Sequence, residues 1–415
     1  MVRYRLLVWL LAPVFFCYTL WISLRYRDAR YFFERLGFVR RVDGTGGIWL
    51  HAASVGEVNA AAVLVRRLAA RAASGNIVLT TTTPTGAAIA RERLGDCASH
   101  RYLPIDWPFA TRRLVRRLQP ACLLVMETEL WPNLYHACAR ADVPIVLVNG
   151  RLSLRSLHEN RWWRRVQRET LACARAVLAR TAADAETFLS LGVEAGRVRT
   201  IGNLKFAVSG DLPRPIDIGR PFVLAASTRD GEELPILEQW RACRRDARLL
   251  VLAPRHPQRL PEILAALAPF GLRIAVRSRG EPVIHDTEVY LADTLGELGP
   301  FMAGAELVVM GGSFEPFGGH NILEPARLGK AIIFGPHMEN FAEEAALLCA
   351  NEAAVQLTSI DALTPCLNEL LAQPDKAAAL GKNAARLIAA RAGVIDDYLA
   401  ALAELCPELA DRKTA

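Results

Sequence analysis

From Gly47 onward, short apolar runs alternate with amphipathic stretches of helix length, and that alternation restricts the chain to one broad class of fold. Ile48-Trp49-Leu50, Ile77-Val78-Leu79, Leu123-Leu124-Val125-Met126, Ile145-Val146-Leu147-Val148, Val177-Leu178-Ala179 and Val198-Arg199-Thr200-Ile201 form a first series. Between the first two runs, residues 58–70 carry apolar side chains every three or four positions, the period of a half-buried helix. Strands buried on both faces read as continuous apolar runs, and strands separated by helices build a parallel sheet covered on both sides. Ser209, Gly210, Pro213, Pro215 and Gly219 then interrupt the pattern, which reads as a linker over 208–220. A second series follows: Phe222-Val223-Leu224-Ala225, Leu249-Leu250-Val251-Leu252, Val289-Tyr290-Leu291, Leu307-Val308-Val309-Met310 and Ala331-Ile332-Ile333-Phe334. The expected fold is α/β, with two doubly wound Rossmann-like halves over 31–207 and 221–415. The second of these closes in alanine- and leucine-rich helices from Pro374.

The first thirty residues stand outside this pattern. Residues 6–24 carry no charge and include Trp9, Phe15, Phe16, Tyr18 and Trp21, which predicts a helix long enough to span the hydrocarbon core. No small-x-small cleavage site follows Leu24, so the segment reads as an uncleaved anchor over 1–30. Arg25, Arg27, Arg30, Arg35, Arg40 and Arg41 outnumber Arg3 and Arg5, which places the remainder on the cytoplasmic side of a single-pass anchor. Much of the net charge of +7 is gathered here, where it suits an anionic membrane surface. No zinc spacing or RNA-recognition signature accompanies it, so nucleic acid is not an expected partner. The nine cysteines are odd in number, scattered and never spaced Cys-x-x-Cys, which points to neither a disulfide framework nor a metal site.

In parallel doubly wound sheets, ligands bind beyond the carboxyl ends of the strands, so the residues after each run carry the chemistry. Leu50 leads into His51-Ala52-Ala53-Ser54-Val55-Gly56-Glu57, whose carboxylate falls at a helix start. The helix dipole alone favours an acid there, so a cap and a site are both open readings. Met126 leads into Glu127-Thr128-Glu129-Leu130-Trp131-Pro132-Asn133, with two carboxylates. Gly202-Asn203-Leu204-Lys205 and Pro254-Arg255-His256-Pro257 supply a lysine and the planar donor fork of an arginine. Ala226-Ser227-Thr228-Arg229-Asp230-Gly231-Glu232 adds hydroxyls and a helix start, and Asp293-Thr294-Leu295-Gly296-Glu297 another capped start.

After Met310 come two glycine pairs, Gly311-Gly312 and Gly318-Gly319, followed by His320-Asn321-Ile322-Leu323-Glu324. Glycines let backbone amides approach an anion, and Ser313, His320 and Asn321 add side-chain donors. Glu324 would repel phosphate but suits a pair of sugar hydroxyls. Phosphate plus polyol means a nucleotide, held by the second half, with an acceptor on the first. No Gly-x-Gly-x-x-Gly follows the first strand, which argues against a dehydrogenase.

These motifs resemble, in order, those of the 3-deoxy-D-manno-octulosonic acid (Kdo) transferases of lipopolysaccharide synthesis, and the Glu-Thr-Glu-Leu-Trp-Pro-Asn run is the most specific of them. The resemblance implies a GT-B glycosyltransferase with two domains facing a central cleft. It implies inverting transfer of Kdo from CMP-Kdo to a lipid A precursor (lipid IVA) at the cytoplasmic membrane, with no metal and no cofactor. It further implies Glu57 as catalytic base, with Glu127 and Lys205 supporting the transition state. Pro254, Arg255, Leu295, Gly296, Glu297, Ser313, Gly318, Gly319, His320, Asn321, Ile322, Leu323 and Glu324 become CMP-Kdo contacts. Ser54, Gly56, Glu129 and Arg151 become acceptor-side candidates. The Ser313-Phe314-Glu315-Pro316-Phe317 stretch departs from the family pattern. A nucleotide-sugar epimerase of the same build would need no anchor, and an idle nucleotide-binding protein would not need Glu57, Glu127 and Glu129.

Overall fold

The computed structural model describes residues 1–39, 46–71, 76–152, 160–207, 212–243 and 247–407. Arg40 and Arg41 of the basic cluster, and Ser209 and Gly210 of the expected linker, lie outside them. The chain forms two compact units, Met1–Ser209 with Ala392–Ala415, and Gly210–Arg391.

In the first unit, seven strands form one sheet: β1 (Ile48–His51), β2 (Ile77–Thr81), β3 (Ser99–Tyr102), β4 (Cys122–Met126), β5 (Ile145–Gly150), β6 (Ala176–Ala179) and β7 (Val198–Thr200). Their order is β3-β2-β1-β4-β5-β6-β7 and every pairing is parallel, with Leu50 opposite both Leu79 and Leu124. Side chains alternate across the sheet. Ile48 and Leu50 enter one core with Leu79 and Leu124, while Trp49 enters the other with Leu123 and Leu147. Among the described residues, nine α-helices precede this unit's last strand: α1 (Val2–Leu10), α2 (Ala12–Tyr26), α3 (Ala29–Arg35), α4 (Val55–Arg71), α5 (Pro84–Leu94), α6 (Pro108–Leu118), α7 (Pro132–Ala139), α8 (Arg161–Leu171) and α9 (Ala182–Ser190).

Two expectations need correction here. The chain's last described helix, Val394–Leu405, does not close the second unit. Its Tyr398, Leu399 and Leu402 are buried in the first unit's core with Leu64 of α4 and Leu50 of β1. The single helix over 6–24 is also not formed: α1 and α2 meet at Leu11 with a bend of 52°. Pro13, in the first turn of α2, has no N–H to continue the ladder from α1. No single described helix is long and apolar enough to cross a membrane, although the bent pair together meets the length and composition required. Moreover, α1 is fastened to the unit. The Tyr4 hydroxyl donates to Asp106 at 2.9 Å, Arg5 Nε donates to Asn133 at 3.0 Å, and Trp9 stacks on Trp107.

The second unit repeats the plan with β8 (Phe222–Thr228), β9 (Leu249–Pro254), β10 (Ile274–Val276), β11 (Val289–Leu291), β12 (Leu307–Met310), β13 (Ala331–Phe334) and β14 (Val355–Gln356). The order is β10-β11-β9-β8-β12-β13-β14, again parallel throughout. Helix α10 (Glu233–Ala242) follows β8, and its Ile236, Leu237 and Trp240 are buried against Val223 and Leu250. In each sheet the winding reverses beside the unit's first strand, between β1 and β4 and between β8 and β12. Sheets of this kind bind ligands beyond the strand ends at such a switch point, and the loops there carry motifs quoted above.

Candidate active site

At the first unit's switch point, Ser54 and Glu57 open α4 as a capping arrangement. The Glu57 N–H donates to Ser54 Oγ at 3.3 Å, the Ser54 hydroxyl donates to Glu57 Oε1 at 3.0 Å, and the Ala53 N–H donates to Glu57 Oε2 at 2.9 Å. The cap is therefore real. Yet Glu57 is only 8% exposed, and caps of this kind ordinarily stand in water. Burial first, then the Glu129 charge, pushes its carboxyl up to about 8, against the pull of the Ala53 N–H. Gly56 lies one residue before it in the same helical turn.

Glu127 and Glu129 leave β4, and Glu127 sits in the left-handed region at φ 52°. Such a backbone costs about 1–3 kcal/mol and is held by its surroundings, here by the Glu127 N–H donating to Val148. Glu129 accepts from Trp131 Nε1 at 2.8 Å. Buried His51 stands with Nε2 3.7 Å from the same carboxylate, too far for a hydrogen bond, while its Nδ1 lies 3.0 Å from Thr80 Oγ1 and 3.1 Å from the Thr80 carbonyl. Burial alone would raise Glu129. His51, Trp131 and Arg35 outweigh burial and hold its carboxyl below the ordinary value. The site thus sets a carboxyl held below the ordinary value beside one held above it, the second having the greater affinity for a proton.

Lys205 belongs to this unit too, on the turn Leu204–Phe206. Asn149, itself left-handed at φ 57°, accepts from the Leu204 N–H, and Tyr398 donates to the Gly202 carbonyl. Gly202 stands at φ +127°, and a Cβ there would come within 2.7 Å of Val394, so only glycine allows the C-terminal helix this close. Arg151 is exposed just beyond β5.

At the second unit's switch point, the glycine-rich loop differs from the expected phosphate cradle. The Gly311 N–H bonds to Ala226. Those of Gly312, Ser313 and Phe314 donate to the buried carboxylate of Glu232, at 2.6, 3.0 and 3.0 Å. The amides from Gly312 to Phe314 do form a cradle, but the carboxyl group in it is the protein's own. Ser313 is likewise committed: its hydroxyl donates to Met310 and accepts from the Gly335 N–H, so it braces the loop. Gly318 and Gly319 are also left-handed, and a Cβ on either would come within 2.4 Å of Asn340 or Met338. Asn321 accepts from the Leu323 N–H, Ile322 and Leu323 are buried, and Glu324 is exposed.

Beside this loop the charges are positive. Arg255 is exposed at the end of β9, just after the buried Pro254. Arg229 lies over the Phe317 ring at 4.5 Å, with Nη1 3.1 Å from His256 Nε2. Burial first, then Arg255 and Arg229, push His320 down to about 4, which leaves it neutral near pH 7. Beyond β11, Glu297 forms a two-pronged pair with Arg277 and accepts from Thr294. The Arg277 bonds first hold its carboxyl down to about 2, so it fixes a turn whose Leu295 is 83% exposed. Among the described residues, no three His, Cys, Asp or Glu side chains are grouped as metal ligands. Sequence reasoning missed the roles of Glu232, Arg229, Asn149 and Tyr398. Only Arg229 and Glu232 carried a signal, as polar residues following a strand end.

The family model described as 3-Deoxy-D-manno-octulosonic-acid transferase (kdotransferase) matches residues 30–208. A 3-deoxy-D-manno-octulosonic acid transferase from Bordetella pertussis is 38% identical over 377 residues, covering 86% of each chain. Another, from Haemophilus influenzae, is 33% identical over 413 residues, covering 95% of this chain and 96% of its own. Among solved structures, a UDP-GlcNAc 2-epimerase from Neisseria meningitidis matches with a TM-score of 0.58 over 86% of this chain and 100% of that one. At 12% identity that likeness is one of fold alone. Identity of this order over most of the chain, with the motif residues gathered at the two switch points, shows that the protein belongs to the 3-deoxy-D-manno-octulosonic acid transferase family and is a glycosyltransferase.

Proposed function

We propose that the protein moves Kdo from CMP-Kdo to a lipid A precursor in lipopolysaccharide synthesis, with inversion at the anomeric carbon and Glu57 as general base. The observation that carries this reading is the opposite character of the two switch points. One presents a buried carboxyl whose proton affinity is raised to about 8, beside Glu127 and Glu129. The other gathers Arg229, Arg255, His256 and His320. As the acceptor oxygen attacks the sugar, Glu57 takes its proton, the bond from the anomeric carbon to the phosphate oxygen breaks, and CMP leaves with the electron pair. Arg255 and the Gly318 amide meet the charge that grows on the phosphate, while the Gly319 N–H holds the loop by donating to the Gly312 carbonyl. Glu324 takes the ribose hydroxyls, and exposed Leu295 offers an apolar contact for the rest of the nucleotide. Glu127 and Lys205 support the transition state, and Ser54, Gly56, Glu129 and Arg151 face the acceptor. The likeness to epimerases is one of fold and supplies no reason to prefer that chemistry.

We further propose that the protein is held at the cytoplasmic face of the inner membrane by α1 and α2. Leu6, Leu10, Val14, Trp21 and Leu24 are between 54% and 76% exposed, an apolar surface that water does not favour. Incubation of the full-length protein with CMP-Kdo and a tetra-acylated lipid A precursor, followed by mass measurement of the product, tests the activity. A product heavier by Kdo is expected, and an unchanged acceptor beside an epimerised nucleotide sugar would overturn the reading.

A further inference from the structure

Helix α8 carries Arg161, Arg164, Arg165 and Arg168, all exposed. At about 100° per residue they fall within roughly a third of the helix circumference. Val166, Thr170 and Leu171 are buried, and Trp163 meets Tyr4 of α1 at 6.2 Å. The arginine face forms one wall of an open pocket of about 670 Å³, opposite Ser190, Leu191 and Gly192. Gly192 stands at φ +92°, and a Cβ there would lie 3.1 Å from Arg168 Nε, so its lack of a side chain lets Arg168 lie along the pocket wall.

The charges in this row are poorly compensated. Arg165 pairs with Glu169 at 2.9 Å, and Glu169 also meets the N-terminal ammonium of Met1 at 3.3 Å. Among the described residues, Arg161, Arg164 and Arg168 have no ion-pair partner. Like charges three and four positions apart weaken a helix, and arginine at its first turn opposes the dipole. The helix gains nothing from this row by itself, whereas an anion seated among three guanidinium forks would relieve it. We propose that the pocket binds the phosphate of an anionic lipid headgroup.

A lipid fits better than a free phosphate because of what borders the pocket. Glu169 on its rim holds Met1, and from Met1 the apolar side of α1 begins, with Val2, Leu6 and Leu10 exposed at 71%, 64% and 76%. A surface with apolar side chains entering the bilayer would bring the arginine row to headgroup depth. The inference rests on the membrane attachment proposed above and is independent of the role given to Glu57.

The test is flotation of full-length protein with vesicles of phosphatidylcholine alone and of phosphatidylcholine mixed with phosphatidylglycerol. Arg161→Gln/Arg164→Gln/Arg168→Gln, which keeps the Arg165 pair, should bind neutral vesicles like the parent. It should lose about two orders of magnitude of the preference for the anionic ones, at roughly a fivefold loss for each arginine. Its melting temperature should be unchanged or higher, which separates this result from misfolding. An undiminished preference in the triple variant would overturn the proposal. So would binding of glycerol 3-phosphate that the variant loses while its vesicle binding is unaltered, which would make this a site for soluble phosphate. A parent protein that binds both vesicle types equally overturns the pocket and leaves membrane attachment standing, whereas one that binds neither overturns both.

Discussion

Glu57→Gln should separate stability from turnover, and in opposite directions. Glutamine keeps the shape, its oxygen accepts from the Ala53 N–H, and its amide can donate to Ser54 Oγ, so the cap of α4 survives. What it removes is a buried ionisable group. In the folded chain that carboxyl titrates at about 8, against an ordinary value of 4.5, so the native state holds its proton longer than the unfolded state does. The contribution to stability is full below about 4.5 and is lost as pH rises through 8. At 1.36 kcal/mol per unit, full ionisation costs on the order of 3–5 kcal/mol, which the variant never incurs. Melting curves of parent and variant should coincide below about pH 4.5, separate progressively from there to 8 and stay apart above it, the variant melting on the order of 10 °C higher for its unit at pH 9. Turnover should nevertheless fall roughly 10²–10⁴-fold. In the parent, kcat/KM should rise with pH, reach half its plateau near 8 and level off above that, because the base works only when deprotonated. Melting curves that run parallel across this range would refute the burial argument, and near-normal turnover in the variant would pass the base role to Glu127 or Glu129.

Arg255→Ala should weaken CMP binding by about 1.5–3 kcal/mol in calorimetry, the range for a hydrogen bond to a charged group, and unchanged affinity would move the nucleotide site elsewhere. Glu232→Ala leaves the amides of Gly312, Ser313 and Phe314 buried without an acceptor. A stability loss of about 3 kcal/mol or more should follow, with faster amide exchange in that loop. Tyr398→Phe removes the hydroxyl that joins Asn149 and Gly202. About 1–3 kcal/mol of stability should go, and turnover should fall more than CMP affinity. The chain has no Asp-x-Asp pair, and activity should persist after dialysis against EDTA; a loss restored by magnesium would count against the donors named for the leaving phosphate.

The limits of sequence reading here follow the burial of each element. Central strands such as Leu123-Leu124-Val125-Met126 are covered on both faces and therefore apolar throughout. The three strands that went unrecognised, Ser99–Tyr102, Ile274–Val276 and Val355–Gln356, all lie at sheet edges. There half-exposure admits Ser99 and Arg101, or the strand shrinks to two or three residues. Strand ends announced Glu57, Glu129 and Arg255 because polar residues directly follow apolar runs. Glu232 also stood after a strand end, but its role was hidden because its loop partners are backbone amides some eighty positions away, which leave no trace in side-chain pattern. The bend at Leu11 had a local cause in Pro13 that the uncharged run obscured.

The burial of Val394–Leu405 in the first unit has a consequence for how the chain is made. Ribosomal synthesis delivers β1 to β7 well before the helix that covers one face of their sheet. Until then Leu50, Leu64 and Leu124 lack the cover of Tyr398 and Leu402, and the Gly202 to Lys205 turn lacks its hydroxyl tether. The second unit, contiguous from Gly210 to Arg391, emerges whole and can fold first, against the usual N-to-C order of domain folding. The nascent chain thus carries an unfinished sheet until the helix Val394–Leu405, made after the whole of the second unit, is there to cover it.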